Sequence, residues 1–327
     1  MSASVSKLWP LVVWIAFGAA LLSPPACADP GKIPRVGVLS AEGAETLEEG
    51  LRSGLRERGY VEGRTIIIDW RRSTGADENL RSLAPEFARS RVDLVVSMGS
   101  PATRAVLQAT SLPVVFTMVG DPVGTGFAAN LARPGGRATG VSTLTVDLMS
   151  KRLELLHKAA PRVRRVLYLR NSSNPVSARQ LEEAHQAAEK LGLELVQLDA
   201  RNDAELAAAV RVVSRDSADA ILVSADMVFL ANRAKISSAI RKARMPAMVP
   251  NKEYSGGGVL MSYGADLIGA ARLAAVYVDK ILRGAKPGEL PIEQLSKVEL
   301  VIDLRVAHEL GIKVPEELLY RADEVTR

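Results

Sequence analysis

Short runs of β-branched and other apolar residues alternate with amphipathic helical patterns along most of this 327-residue chain. Val92–Val96 is such a run, and a helix start at Ser100-Pro101 follows it directly. Strands separated by helices of this length form βαβ units, in which parallel strands are buried on both faces. The alternation therefore predicts an α/β fold built from doubly wound parallel sheets.

The turn after Val92–Val96 also predicts a binding position. Ser100 precedes a proline that suits the first position of a helix, so its hydroxyl is expected to cap free backbone N–H groups. A helix start beyond a strand offers amides and the positive end of the helix dipole to an anion. For this turn taken alone, an ordinary connection without a ligand remains the alternative.

The strand–helix alternation begins again after the middle of the chain, which indicates two similar lobes joined by a hinge rather than one large sheet. A helix over Asp266–Arg283 and a strand over Val298–Ile302 come after a complete second lobe, so several segments would link the lobes. Single helices are also predicted over Asn79–Arg89, Asp203–Arg215 and Asn232–Arg244. The predicted divisions are a signal over 1–28, an N-terminal lobe from 29–146 plus 265–293, and a C-terminal lobe from 147–264 plus 294–327.

Residues 1–28 have the pattern of an export signal. The apolar run Leu11–Leu22 is shorter than the ~20 residues that a membrane-spanning helix needs. Small residues before Asp29 then fit the signal-cleavage rule, so cleavage after Ala28 and a periplasmic product are expected. A lipoprotein with Cys27 as the lipidated residue is the alternative, and Pro24 disfavours it because such signals usually carry Leu there.

The chain lacks the residue patterns of common catalytic and metal sites. Its only cysteine is Cys27, so the processed chain would have no thiol for a disulfide, a metal or a nucleophile. His157, His185 and His308 are scattered on predicted helices without metal-ligand spacing. No P-loop, nucleophile elbow or dinucleotide fingerprint occurs. We therefore predict no catalytic residues, no metal and no cofactor, and the modest net charge of +5 argues against a nucleic-acid partner.

Polar and turn-forming residues follow many of the predicted strands. In doubly wound sheets the carboxyl ends of the strands share one edge, and two facing lobes would bring both edges to one cleft. Each such residue taken alone is more often structural. The ligand-binding candidates in or near these turns are Ser40, Gly99, Ser100, Thr103, Asp121, Asn174, Asp226, Tyr254, Gly264 and Asp266.

Several linked segments resemble a known family: RVGVLS, VDLVVSMGSPAT, VFTMVGDPVGTG, ARPGGRATGVS, GGGVLMSYGAD and VYVDKILRGAKPGELPIE. Together with the export signal they look like the ABC-transporter substrate-binding proteins of the tryptophan/tyrosine-binding type. The resemblance covers Arg35 to Ala322 and implies the type I periplasmic-binding fold, with a ligand held between two lobes. It also implies three crossovers, near Thr143–Asp147, Tyr263–Asp266 and Pro291–Ser296. Because members of the family differ in ligand, the resemblance does not name the solute.

The expected function is that of a periplasmic solute-binding protein of an ABC importer, acting as a monomer without chemistry of its own. Its expected partners are a small-molecule ligand and an ABC permease in the inner membrane. The helix start at Ser100 suits a carboxylate, while Asp121 and Asp226 lie in different lobes and could flank an ammonium group. Aromatic residues make up only 4% of the chain, whereas sugar-binding sites commonly stack aromatic side chains on the sugar ring. An amino acid or similar zwitterion is therefore favoured. The alternatives are a secreted α/β enzyme that uses the same cleft, and a ligand-binding subunit that feeds a membrane sensor.

Overall fold

The computed structural model describes residues 32–74, 77–295 and 297–327, so the predicted signal over 1–28 and Ser296 of the third predicted crossover lie outside the described residues. The strands of the first sheet are β1 (Arg35–Ala41), β2 (Ile67–Ser73), β3 (Leu94–Met98), β4 (Val114–Val119), β5 (Ala138–Ser142) and β11 (Glu293–Gln294). Those of the second sheet are β6 (Arg165–Arg170), β7 (Glu194–Asp199), β8 (Ala220–Val223), β9 (Ala247–Val249), β10 (Met261–Ala265), β12 (Val298–Asp303) and β13 (Glu324–Thr326).

Strand pairing within the two sheets is predominantly parallel. The first sheet has the order β11-β5-β4-β3-β1-β2, and the second has the order β13-β12-β10-β9-β8-β6-β7. The antiparallel pair is β10 with β12, and Met261 lies opposite Ile302 in that register. The predicted α/β fold of two doubly wound lobes is confirmed.

Helices cover both sheets. In chain order they are α1 (Glu45–Arg56), α2 (Asp77–Leu83), α3 (Glu86–Arg89), α4 (Ser100–Ala109), α5 (Met149–Ala159), α6 (Ser177–Leu191), α7 (Asp203–Ala209), α8 (Met227–Ala231), α9 (Arg233–Ala243), α10 (Leu267–Leu282), α11 (Leu304–Glu309) and α12 (Glu316–Arg321). Short 3-10 turns occur at Lys252–Tyr254 and Pro287–Glu289.

Helix α10 follows a strand of the second sheet but packs against the first lobe. Gly50 and Gly54 on α1 make this close approach possible, because a Cβ at Gly54 would collide with the backbone oxygen of Arg272. The chain therefore passes between the sheets three times: after β5, at Asp266 between β10 and α10, and between β11 and β12. Three parallel connections of this kind form a hinge between two lobes.

The two lobes touch through apolar side chains. One cluster of buried residues combines Val38 and Leu51 of the first lobe with Ile221 and Phe229 of the second. Apolar surface that is buried in this way stabilises the approach of the lobes by about 25 cal/mol per Å². The structure therefore describes an arrangement in which the lobes are close together.

Local chemistry corrects several predicted elements. The single helix over Asn79–Arg89 is wrong, because Pro85 separates α2 from α3 and proline removes a helical hydrogen bond. The helix predicted to reach Arg215 ends at Ala209, just before a run of valines whose branched side chains weaken helices. Helices α8 and α12 and strands β11 and β13 were not predicted, since each is too short to show a clear period.

Candidate ligand-binding site

A small cavity of about 40 Å³ lies between the lobes, where strands of both sheets end. A cavity of this size holds only a few water molecules, so an amino acid could enter only if the lobes separated. The carboxyl edge of an open parallel sheet is the usual position of a ligand site. The cavity is lined by Gly99, Ser100, Pro101, Met118, Gly120, Thr143, Thr145, Asn174, Val176, Ala225, Asp226, Met227, Leu230, Asn251 and Leu267.

The start of α4 forms the first-lobe side of the cavity. Gly99, rather than Ser100, is the N-cap, and no side chain caps the helix. The predicted capping by the Ser100 hydroxyl is therefore wrong, because Gly99 has a positive φ of 91° and turns the backbone one residue earlier. A Cβ at Gly99 would also lie 2.8 Å from Cγ of Met227 in the second lobe, so the lobes approach closely at this point.

The hydroxyl groups of two candidates, Thr103 and Ser40, form hydrogen bonds within the first lobe. The Thr103 hydroxyl donates to the backbone oxygen of Gly99 at 2.8 Å and lies 2.9 Å from the Ser97 hydroxyl. The Ser40 hydroxyl donates to Oε1 of Glu48 at 2.7 Å. Neither residue lines the cavity, although Ser40 borders a smaller space beside it.

Asp226 is the buried carboxylate of the cavity. It accepts hydrogen bonds from the Val228 backbone N–H at 2.8 Å and from the side-chain amides of Asn174 at 2.7 Å and Asn171 at 3.1 Å. Burial raises the pKa of Asp226 above that of an exposed carboxyl. The Phe229 backbone N–H also interacts with this carboxylate, so donors from four residues surround it.

Thr143 was missed by the sequence reasoning. It lies at the first crossover, is only 1% exposed, and its hydroxyl has no hydrogen-bond partner among the described residues. Buried polar groups normally have partners, so an unpartnered hydroxyl on a cavity wall is a candidate ligand contact. Its position directly after β5 was the available signal, because the same strand-end rule selected the other candidates.

Asp121 lies at the mouth of the cleft and not in its cavity. Its carboxylate forms an ion pair with the guanidinium of Arg179 on α6 and accepts the Gly124 backbone N–H at 2.8 Å. Because α6 belongs to the second lobe, this pair joins the two lobes. Arg104 of α4 makes a second such link by donating to the Ser173 backbone oxygen at 2.9 Å.

The remaining candidates lie outside the cavity lining. Gly264 passes so close to the Pro250 backbone oxygen that a Cβ would collide with it. Asp266 caps α10 by accepting the Gly269 backbone N–H at 3.0 Å. Tyr254 is buried, and its hydroxyl has no partner among the described residues, while burial raises its pKa. Of the predicted set, the structure thus brings together Gly99, Ser100, Asn174 and Asp226.

Arg152 connects three backbone segments near the cleft. Its fully buried guanidinium donates to the backbone oxygens of Tyr263 at 2.8 Å, Thr145 at 3.3 Å and Pro250 at 3.5 Å. Thr145 belongs to the first crossover and Tyr263 to the strand that leads into the second. The guanidinium has no carboxylate partner in the described part of the chain, and burial lowers its pKa to about 10.

Among the described residues, no His, Cys, Asp and Glu side chains are grouped so that they could hold a metal ion, and no helix has the length and apolar character that crossing a membrane requires. Residues 32–326 match the family model described as "ABC transporter substrate binding protein". The chain belongs to this family. This match confirms the family that the sequence motifs indicated. Members of the family are substrate-binding proteins.

Individual relatives agree with the family match. The chain is 25% identical over 258 residues to a tyrosine-binding protein of Clostridioides difficile, covering 78% of this chain and 74% of that protein. A conserved domain protein from Vibrio cholerae has a similar structure, with a TM-score of 0.84 at 28% identity, covering 90% of this chain and 100% of that one. An ABC domain from Streptococcus pneumoniae in complex with L-Trp has a TM-score of 0.82 at 28% identity, with the same coverage.

Proposed function

We propose that this family member binds an amino acid or similar zwitterion between its lobes and delivers it to an ABC importer, without catalysing a reaction. The observation that carries the proposal is the pairing of opposite chemistries on one cavity. The buried carboxylate of Asp226 lies on the second-lobe side, and the start of α4, which no side chain caps, lies on the first-lobe side. The tyrosine-binding and L-Trp-bound relatives support the same ligand class.

Each part of a zwitterion has a matching group in the cavity. An α-ammonium group would donate to the Asp226 carboxylate, a charge-assisted hydrogen bond. An α-carboxylate would accept from the amides at the start of α4 and from the hydroxyls of Ser100 and Thr143. The ligand side chain would contact apolar residues, namely Met118, Val176, Met227, Leu230 and Leu267.

Closure of the lobes would distinguish the ligand-bound protein from the ligand-free protein. The small cavity requires the lobes to open before a ligand enters, and a ligand that contacts both lobes would favour the closed form. In this proposal the partner that recognises the closed form is an inner-membrane ABC permease, and the binding protein acts as a monomer. We also propose that the chain is exported to the periplasm and cleaved after Ala28.

A thermal-shift screen tests the ligand class. A ligand present at a hundred times its dissociation constant should stabilise the folded protein by about 2.7 kcal/mol. For a cooperative unit of 150–250 residues this raises the melting temperature by about 5–10 °C. We expect this shift with L-tryptophan, L-tyrosine or another amino acid in a panel that also contains sugars, nucleosides and dicarboxylates. A shift with a neutral sugar and with no amino acid would contradict the proposal.

Breaking the ion pair between Asp121 and Arg179 should weaken ligand binding modestly. The pair joins the lobes when they lie close together, and in this proposal it also forms in the ligand-bound protein. Because the Arg179 side chain is 55% exposed, the pair should be worth about 0.2–1 kcal/mol. Calorimetry on Asp121→Asn, on Arg179→Gln and on the double variant should give a dissociation constant raised up to about fivefold. The two single effects should be non-additive, and fully additive effects would show that the pair does not act in closure.

A further inference from the structure

A groove of about 680 Å³ lies on the second lobe, with a lining entirely different from that of the cleft cavity. One wall is a face of α9 and includes Arg233, Ser237, Arg241 and Lys242. The opposite wall is the segment from Glu253 to Gly257 that follows β9. We call this feature the α9 groove.

Two cations in the α9 groove form no ion pair with a described residue. The side chains of Arg241 and Lys242 form no ion pair or hydrogen bond with any residue in the described part of the chain. Two unpaired cations on adjacent residues of one wall therefore raise the local positive potential.

Arg233 adds a third cation, which is held in place. Its guanidinium donates to the Leu230 backbone oxygen at 3.1 Å and to the Gly43 backbone oxygen at 3.4 Å. These bonds use part of the five-donor fork and leave other N–H groups for a ligand. An arginine fixed in this way loses little side-chain entropy when it binds an anion.

Uncharged donors complete the α9 groove. Ser237 is only 4% exposed and lines the groove, and its hydroxyl makes no hydrogen bond with any described residue. The glycine segment packs directly on α9, because a Cβ at Gly257 would lie 2.9 Å from the Ser237 hydroxyl oxygen. Gly256 has a positive φ of 83°, and backbone amides in such turns can converge on an anion.

Glu253 is the carboxyl group in the lining of the α9 groove. Both of its carboxyl oxygens are buried and have no partner among the described residues. Burial raises the pKa of Glu253, so its negative charge is less favoured than that of an exposed glutamate.

We propose that the α9 groove is a second ligand site, which binds a multivalent oxyanion of the phosphate type. Arginine pairs with phosphate through two parallel N–H donors, and lysine adds a point charge. The Ser237 hydroxyl and the glycine amides would bond the remaining oxygens. This site is separate from the cleft, so it does not depend on which solute the cleft binds.

Titration with inorganic phosphate tests the site. The processed protein is titrated with phosphate while sodium chloride holds the ionic strength constant, and binding is followed by the melting temperature. We expect a saturable rise in the wild-type protein. The double variant Arg241→Ala/Lys242→Ala should raise the apparent dissociation constant at least tenfold, since two charge-assisted contacts are lost.

A matched control separates specific binding from general attraction. Lys190 and Arg211 are exposed cations of the same lobe with no described side-chain partner, so Lys190→Ala/Arg211→Ala removes the same net charge elsewhere. This control and the cleft variant Asp226→Asn should keep the phosphate affinity within about twofold. Equal losses in the two double variants, a loss in Asp226→Asn, or no saturable binding to the wild type would overturn the proposal.

Discussion

Replacing Arg152 by alanine is expected to lower the free energy of unfolding by about 3 kcal/mol. The change leaves a cavity where a fully buried side chain was, which commonly costs 2–5 kcal/mol for a long apolar side chain. It also removes the donor of three backbone oxygens, at Thr145, Pro250 and Tyr263. Removing a buried charge without a counter-ion offsets part of this loss, because burial lowers the pKa of Arg152 and so disfavours its charged form.

Thermal and denaturant unfolding measure this effect. A loss of about 3 kcal/mol corresponds to a melting temperature about 6–12 °C lower for a unit of 150–250 residues. Arg211→Ala serves as the control, because Arg211 is an exposed arginine of the same lobe and should change stability by less than about 0.5 kcal/mol.

The variant Arg152→Met separates packing from hydrogen bonding. Methionine fills much of the space but cannot donate to the three backbone oxygens, so we expect it to be less stable than the wild type and more stable than Arg152→Ala. A methionine variant as stable as the wild type would show that the hydrogen bonds of the guanidinium do not stabilise the hinge.

Replacing Asp226 by asparagine should weaken binding of the cleft ligand about 10- to 100-fold. The variant keeps the size of the side chain and loses its negative charge, and a hydrogen bond to a charged group is worth about 1.5–3 kcal/mol. The new amide group would also meet the amide donors of Asn171 and Asn174, which now point at a carboxylate oxygen. Isothermal titration calorimetry with the amino acid found by the screen measures the dissociation constant.

The pH dependence of binding gives an independent readout. Burial raises the pKa of Asp226, so its negative charge is lost at a higher pH than that of an exposed aspartate. Affinity for an ammonium-bearing ligand should therefore fall on acidification as Asp226 becomes protonated, and the fall should begin at a higher pH than for an exposed aspartate. Asp226→Asn should lack this acid-side loss.

The exposed carboxylate of Asp216 provides a matched control for Asp226. It has no described partner, so Asp216→Asn should leave both the affinity and its pH dependence unchanged. If Asp226→Asn changed the dissociation constant less than threefold, the carboxylate would not be the group that recognises the ligand.

The sequence pattern predicted where the strands of each sheet end. It predicted less well which side chains at those strand ends line the cavity. The strand-end rule selected Ser100 and Asp226 because both follow buried strands, and both line one cavity. It could not show that the Thr103 hydroxyl bends back to the Gly99 oxygen, since that depends on a side-chain rotamer. Asp121 and Arg179 are separated by 58 residues, and no local pattern predicts which cation meets a carboxylate across two lobes.

The return of α10 to the first lobe has a consequence for how the chain is made. The face of α1 that carries Gly50 and Gly54 packs on α10, and β11 completes the edge of the first sheet. Both of these partners are synthesised after the strands and helices of the second lobe from β6 to β10. During synthesis the N-terminal half therefore lacks part of its own core and cannot finish folding first, as N-terminal domains generally do. The first lobe is therefore completed only when nearly the whole sequence has emerged from the ribosome.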